Sequence, residues 1–379
     1  MDTPIQLSIL HHFDALEDPR VQRTRKHLLL DMVAISLCGV LCGANDWTAI
    51  VLWGRANHDW LKTFLALPGG IPAHDTFGRV FALLDPEQFA DCFAGWMAAV
   101  CARLGLKQVA IDGKALRRSH DRSKGKAALH LVSAWAVENG LTLGQRAVDG
   151  KSNEITAIPE LLRLLDVSGA LVTIDAMGCQ KDIAAAIRAE DADYLLAVKE
   201  NQPKLYEDID DLMNGALDSD FAGLNYDYAE ESSKGHGRQE DRCCWVFEDV
   251  SVIRERQLWA DLKSIVVVVS TRTVAGKSSS EMRYYISSRS AGAATLLQAV
   301  RRHWSIENEC HWVLDVCFGE DDSRLREGHG AENFALLRKM ALALLKKAKG
   351  VKEGMECRRL TAGWDRTYLM NVLLGYETE

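Results

Sequence analysis

The stretch LKQVAID, Leu106–Asp112, is a short apolar run that ends in a carboxylate, and the pattern of the chain changes there. Two more runs follow, ALHLVSAWAV (128–137) and LTLGQRAV (141–148), with Asn139-Gly140 between them. Asn-Gly between two β-like runs predicts a tight hairpin, because both residues tolerate positive φ. Residues 153–165 then carry helical spacing. ALVTIDA (170–176) reads as a strand that again ends in a carboxylate, residues 181–189 as a helix, and ADYLLAV (192–198) as another strand. Hairpins first and helical crossovers afterwards predict an α/β fold, a mixed sheet with helices packed against it.

Residues 1–103, before this core, predict an N-terminal helical domain. Asp46, Asp59 and Asp75 each precede a helix-like pattern, and Pro86 is placed to open another helix. Leu67-Pro68-Gly69-Gly70 is a break. On pattern alone this region serves either DNA binding or packing and dimerisation. The sheet region covers residues 104–219. Residues 220–290 predict a β-rich insertion: SIVVVVSTRTV (264–274) and MRYYISS (282–288) are strong strand signals, and CCWVFEDVSVI (243–253) is a weaker one. Residues 291–379 predict a long last helix and C-terminal helices.

Hydrophobic residues make up 47% of the 379, enough for a sizeable core. No apolar run of about 18 residues is present, so no membrane span is expected. The start, MDTPIQLSILHHFDALEDPR, is acidic and polar and does not read as a signal peptide. Ten cysteines at irregular spacing, with no CxxC pair, point to the reduced cytoplasm and away from zinc. The net charge of −8 argues against a surface that grips nucleic acid everywhere, but leaves room for local basic patches.

Asp112 and Asp175 both stand after apolar strand residues, beside Gly113 and Ala176. Strand ends are where open sheets place ligands, although an aspartate there also suits a plain turn or cap. Glu307 has a different signal. At about 100° per residue from Leu296 to Cys317, Val300, Trp304, Ile306, Cys310 and Leu314 share an apolar arc, and Glu307 lies near its middle. Glu309 falls on the polar side. A carboxylate facing a core costs several kcal/mol unless it is protonated, paired or bound to a cation. A neutral Glu307, or one paired with His303 or His311, is the competing reading. Three carboxylates, two from strand ends and one from a helix on the sheet, make an oxygen-only donor set suited to Mg²⁺ or Mn²⁺.

IPAHDTFGRVF (71–81), AIDGKALRRS (110–119), VDGKSNEITAIPELL (148–162), TIDAMGCQKDIA (173–184), YLLAVKENQP (194–203), GHGRQEDR (235–242) and RRHWSIENECHWVLDVCFGEDDSR (301–324) resemble, in order, the DDE transposases of bacterial insertion sequences. The branch that includes the H-repeat-associated proteins beside Rhs elements is the most similar. The resemblance spans about residues 3–347. It implies a ribonuclease-H-like catalytic domain with an N-terminal helical domain and a β-strand insertion before the last acid. Asp112, Asp175 and Glu307 match the motif acids, 63 and 132 residues apart. It also implies a transposase that cleaves double-stranded DNA and transfers strands between element ends and target; the donor set suits two metal ions, and pairing two element ends suggests, by mechanism, a homodimer. Some relatives carry Tyr, Arg and Lys around the last acid where this chain has Val300, His303 and Leu314. That leaves the route of end processing open.

Basic residues cluster near the acids. Lys114, Arg117, Arg118, Arg122, Lys124 and Lys126 follow Asp112 closely and make either a phosphate track or a solvated loop. Lys151, Lys199, His236, Arg238, His303 and Arg324 are further candidate DNA contacts. One of the ten tryptophans would suit a flipped base, although Trp304 reads as core. A cleavage-only nuclease of the same fold and a non-catalytic DNA-binding descendant are the alternatives to an active transposase.

Overall fold

The sheet begins with β1 (Gln108–Ala115), β2 (His130–Ala136) and β3 (Leu141–Val148), which run antiparallel. β4 (Leu171–Ile174) and β5 (Asp193–Val198) come next, parallel to β1. Helices α7 (Glu154–Leu164) and α8 (Lys181–Ala189) make the crossovers that parallel pairing requires. Gly140, at φ +65°, ends the turn between β2 and β3. This computed structural model describes residues 8–120, 125, 127–148, 154–235 and 237–375.

Residues 220–290 do not form a separate β unit. β6 (Asp227–Gly235), β7 (Arg238–Phe247), β8 (Ser264–Val274) and β9 (Lys277–Ser287) form an antiparallel meander, and β9 pairs with β5. One nine-stranded sheet results, in the order β3-β2-β1-β4-β5-β9-β8-β7-β6. The physical reason is the free edge of β5, which the insertion covers. The stretch Pro203–Asp218, α9, is a helix that the strand signals on either side obscure.

The N-terminal helices are α1 (Ser8–His11), α2 (Leu29–Leu41), α3 (Trp47–Ala56), α4 (His58–Leu61), α5 (His74–Leu83) and α6 (Pro86–Leu104). Asp46 caps α3 through the Ala49 amide, and Asp85 caps α6 ahead of Pro86. Asp59 and Asp75 lie inside the first turns of α4 and α5 and are not caps; there a carboxylate answers the helix dipole. Buried Asp31 accepts from the Leu67 amide at 2.8 Å and so ties the Pro-Gly break to α2. The N-terminal helices share one continuous apolar core with the sheet and with α12 (Gly330–Lys347). No helix among the described residues is long and apolar enough to cross a membrane.

Period-two alternation divides the central strands between two layers. Val109, Ile111, Val172, Ile174, Tyr194 and Leu196 belong to the main core with α7 and α8. On the opposite face, Leu171, Leu195, Tyr285, Val266 and Val268 pack against α10 (Ala293–His303) through Leu296, Leu297 and Val300.

Glu332 on α12 gives a measurable consequence of the packing. Burial pushes its carboxyl up to about 7 from an ordinary 4.5, against the charges of Arg146 and Lys339. A folded-state value above the unfolded one means stability is fullest below pH 4.5 and is lost as pH rises through about 7. Glu332→Gln is expected to match the parent at pH 4.5 and to exceed it by up to about 3 kcal/mol above pH 7. Urea unfolding at several pH values measures the difference, and equal stability at all pH values would contradict this assignment.

Candidate active site

Asp112 and Asp175 are brought together by register. Ile111 and Ile174 are partners in the parallel β1–β4 pair, and the pairing stops there. The next residues on each strand are therefore neighbours, on the same face, where the two strands part. β1 itself continues to Ala115 beside β2, so Asp112 does not end its strand as the apolar run suggests. It sits where β1 loses its neighbour on one side only. Asp175 also caps the short turn Ala176–Gly178, accepting from the Met177 and Gly178 amides at 3.1 and 3.4 Å. Its cap role and its place at the strand end coexist.

Glu307 reaches the same cavity from the segment just beyond α10. The helix is not uninterrupted, as the sequence spacing predicts. After His303 the chain enters a π-helical turn, Ile306–His311, before α11 (Trp312–Val316). Such a turn inserts extra residues per turn and shifts every later side chain around the axis. Ile306, Cys310 and Leu314 stay buried, but Glu307 is exposed and Trp304 is 41% exposed, so neither is a core residue. Glu307 faces a cavity of about 190 Å³ that it lines with Asp112, Asp175, Lys199, His303 and Arg283.

Asp112 and Glu307 sit in opposed electrostatic environments. Burial would push the Asp112 carboxyl up, but His311, with Nδ1 3.4 Å from Asp112 Oδ2, and the charge of His303 hold it below the usual carboxylate range. Burial and the charge of Asp112 raise Glu307, His311 opposes, and Asp175 adds to the rise. Burial lowers the His303 imidazole despite both aspartates. Its Nδ1 lies 3.0 Å from Thr173 Oγ1, and its ring lines the cavity beside both aspartates. Among the described residues, no three His, Cys, Asp or Glu side chains stand close enough to share a metal ion in this conformation.

A fourth carboxylate stands beside the strand that bears Asp112. Glu154, 6% exposed at the start of α7, bonds buried His130 of β2 and is pushed up by burial and by the charges of Asp175 and Asp112. It lies so close to β1 that a Cβ on Gly113 would come within 2.4 Å of Glu154 Oε1. His130 carries no sequence signal as a site residue, and His311, which helical spacing offers as a partner for Glu307, meets Asp112 across the fold.

The basic loop after Asp112 is largely engaged. Lys114 is not available for phosphate: its ammonium lies between Asp315 and buried Glu320, the latter at 2.8 Å. Arg117 pairs with Asp321 and Arg118 with Asp322, both at 3.2 Å, while staying exposed. Arg122, Lys124, Lys126, Lys151 and His236 lie outside the described residues. Lys199 and Arg324 are exposed, and Arg238 pairs with Glu240 at 2.9 Å. In the tail, Arg359 is buried, donating to the Val40 carbonyl, and is structural.

Gly113→Ala is expected to cost about 1–3 kcal/mol, since Glu154 cannot move without leaving His130. Gly95→Ala, in α6 with nothing within 4 Å of the new Cβ, is expected to be neutral or stabilising. Paired urea titrations decide it, and equal effects would refute the close approach at Gly113.

The family described as "Transposase DDE domain" matches residues 103–344, and the one described as "DDE_Tnp_1-associated" matches residues 10–97. YncI of Escherichia coli O157:H7, named as a transposase, is 40% identical over 98% of this chain and 97% of its own length. YhhI of Escherichia coli K12, named as an H repeat-associated transposase, is 38% identical over 97% of this chain and 98% of its own. Among solved structures, a piggyBac transposase in a synaptic complex with hairpin DNA aligns with 98% of this chain and 80% of its own, at 10% identity and a TM-score of 0.46.

Proposed function

Because the chain belongs to the DDE transposase family, we propose that it is a DNA transposase that cuts and joins phosphodiester bonds at Asp112, Asp175 and Glu307. The observation that carries this assignment of residues is the β1–β4 register, which places the two motif aspartates side by side below the π-turn that bears the motif glutamate. The strand order, three antiparallel strands and then two parallel ones with helical crossovers, supports a ribonuclease-H-like core extended by the meander.

The donor set fits a divalent cation such as Mg²⁺ or Mn²⁺. It is oxygen-only, and the charge of Asp112 and Asp175 already raises Glu307, so a cation between the carboxylates relieves their repulsion. Asp112, Asp175 and Glu307 would hold it. When bound, such ions lower the pKa of a nucleophilic hydroxyl and stabilise the leaving oxygen of an in-line displacement. The chain's own residues then have separate tasks. His311 keeps Asp112 ionised and oriented. His303, fixed by Thr173, forms a wall of the cavity beside the aspartates. Lys199, exposed at the rim of the cavity, is placed to meet a phosphate oxygen. Two element ends must be held together for transfer, so two copies of the chain are expected in the active complex.

Asp112→Ala, Asp175→Ala and Glu307→Ala are each expected to lose Mg²⁺-dependent cleavage on the order of a thousandfold, the equivalent of several kcal/mol, while still binding DNA. Glu309→Ala, which removes only an exposed pair with Lys346, should cleave normally. Nicking and strand-transfer assays on duplexes taken from the flanks of the gene provide the readout. Normal cleavage by any of the three variants would overturn the residue assignment. Cleavage without joining of pre-cut 3′ ends would leave a nuclease in place of a transposase.

A further inference from the structure

The face of the meander that packs α10 changes character along its strands. Cross-strand register aligns Val246, Val266 and Tyr285 in one row, then Cys244, Val268 and Arg283, then Arg242, Ser270 and Glu281, then Glu240, Arg272 and Ser279. The first rows are apolar and lie under Leu296, Leu297 and Val300. Beyond the reach of α10 the same face becomes basic and hydroxylic. A groove of about 750 Å³ opens there, bordered by Arg238, Arg242, Arg272, Arg283 and Arg301, with Trp304 at one side.

Two observations give the groove a direction and a sign. Glu281, Arg283, Val300 and Trp304 line both this groove and the cavity of the three acids, so the two spaces are continuous. Five arginines border the groove against Glu240 and Glu281 of its lining and Glu231 of β6, which pairs with Arg301, so the charge there stays positive in a chain whose net charge is −8. Glu240 is shared between Arg238 and Arg242, and Arg283 bonds Glu281. Arg272 is exposed, and no acidic side chain lies within ion-pairing distance of it among the described residues. Arg283 also stands over the Trp304 ring, 5.4 Å from its centre, which leaves a partly exposed aromatic face beside a guanidinium. Guanidinium forks and hydroxyls spaced along strands suit successive phosphates, and an exposed indole suits an unstacked base.

We infer that this groove binds the DNA strand flanking the scissile phosphate and leads it into the site of Asp112, Asp175 and Glu307. The inference rests on the transposase reading and adds the route of the strand, with Arg272, Arg283, Arg301 and Trp304 as contacts. The ligand class is a polyanionic nucleic-acid strand, since a lone small anion would use one arginine and not the row.

The test uses the full chain and fluorescent duplexes from the flanks of the gene. Arg272→Ala with Arg283→Ala should weaken binding at least about tenfold at moderate salt and flatten the log–log salt slope by about two. Lys263→Glu, exposed just before the opposite end of β8, should leave both unchanged. A photocrosslinker at Ser279, in an otherwise unaltered chain, should form an adduct with the DNA, and one at Lys263 should not. Unchanged affinity and slope in the double variant, or no adduct at Ser279, would overturn the groove while the parent still cut and joined DNA. Failure of the parent itself to cut DNA would instead overturn the transposase reading.

Discussion

The parallel pairing of β1 with β4 is the constraint on which the site depends. Four residue pairs, from Gln108 with Leu171 to Ile111 with Ile174, hold the two strands in register. A slip by one residue would turn Asp112 or Asp175 to the opposite face of the sheet, into the apolar layer with Ile158 and Ile183. The register is well specified because both faces are buried: Val109, Ile111, Val172 and Ile174 on one side, Ala110 and Leu171 on the other. The same pairing leaves Thr173 below the aspartates, where it holds His303, and places Gln108 to donate to the Ala299 carbonyl of α10 at 2.8 Å. The helix that leads to the third acid is thus hydrogen-bonded to the strand that carries the first.

A second set of interactions sets the height of Glu307 above the sheet. Lys114, two residues beyond Asp112, is clamped between Asp315 and Glu320, which lie past the π-turn in the chain. Glu320 is in turn held down in its titration by the charges of Lys114, Arg338 and Lys339, all largely buried. Lys339 donates to Ser133 and Gln145 of the sheet. Burying so many ions costs several kcal/mol each before pairing offsets it, and an apolar cluster of the same volume would be cheaper. What the charges contribute is a single fit between the strand of Asp112 and the segment after Glu307.

Much of this was legible along the chain. The β1-β2-β3-α7-β4-α8-β5 order comes from runs and turns that are local, and the two aspartates stand out because apolar residues precede them. Helical phase singles out Glu307 as the acid on the apolar arc. It lies in the π-turn beyond α10 and faces the cavity of the two aspartates, so the arc there contains the wall of a cleft as well as a core, and the π-turn alters the phase after residue 305. The arginine row was readable in principle as a change along one strand face, from Val246 and Cys244 to Arg242, Glu240 and Arg238. Its meaning required knowing where α10 stops covering that face.

The sequence by itself determined the strands β1 to β5 and much of β7 to β9, their order along the chain, the motif acids and the family, because these are encoded in local periodicity and in residue types at fixed spacing; β6, polar on both faces, carries no such signal. Tertiary structure alone decided which neighbours those residues meet. It joined the meander to the edge of β5, took Lys114 out of solvent, set His311 on Asp112 and Glu154 against Gly113, and opened Trp304 to the groove. Each of these is a contact between segments tens to hundreds of residues apart. Such contacts are fixed by packing and charge pairing in space, and a linear pattern carries no record of them.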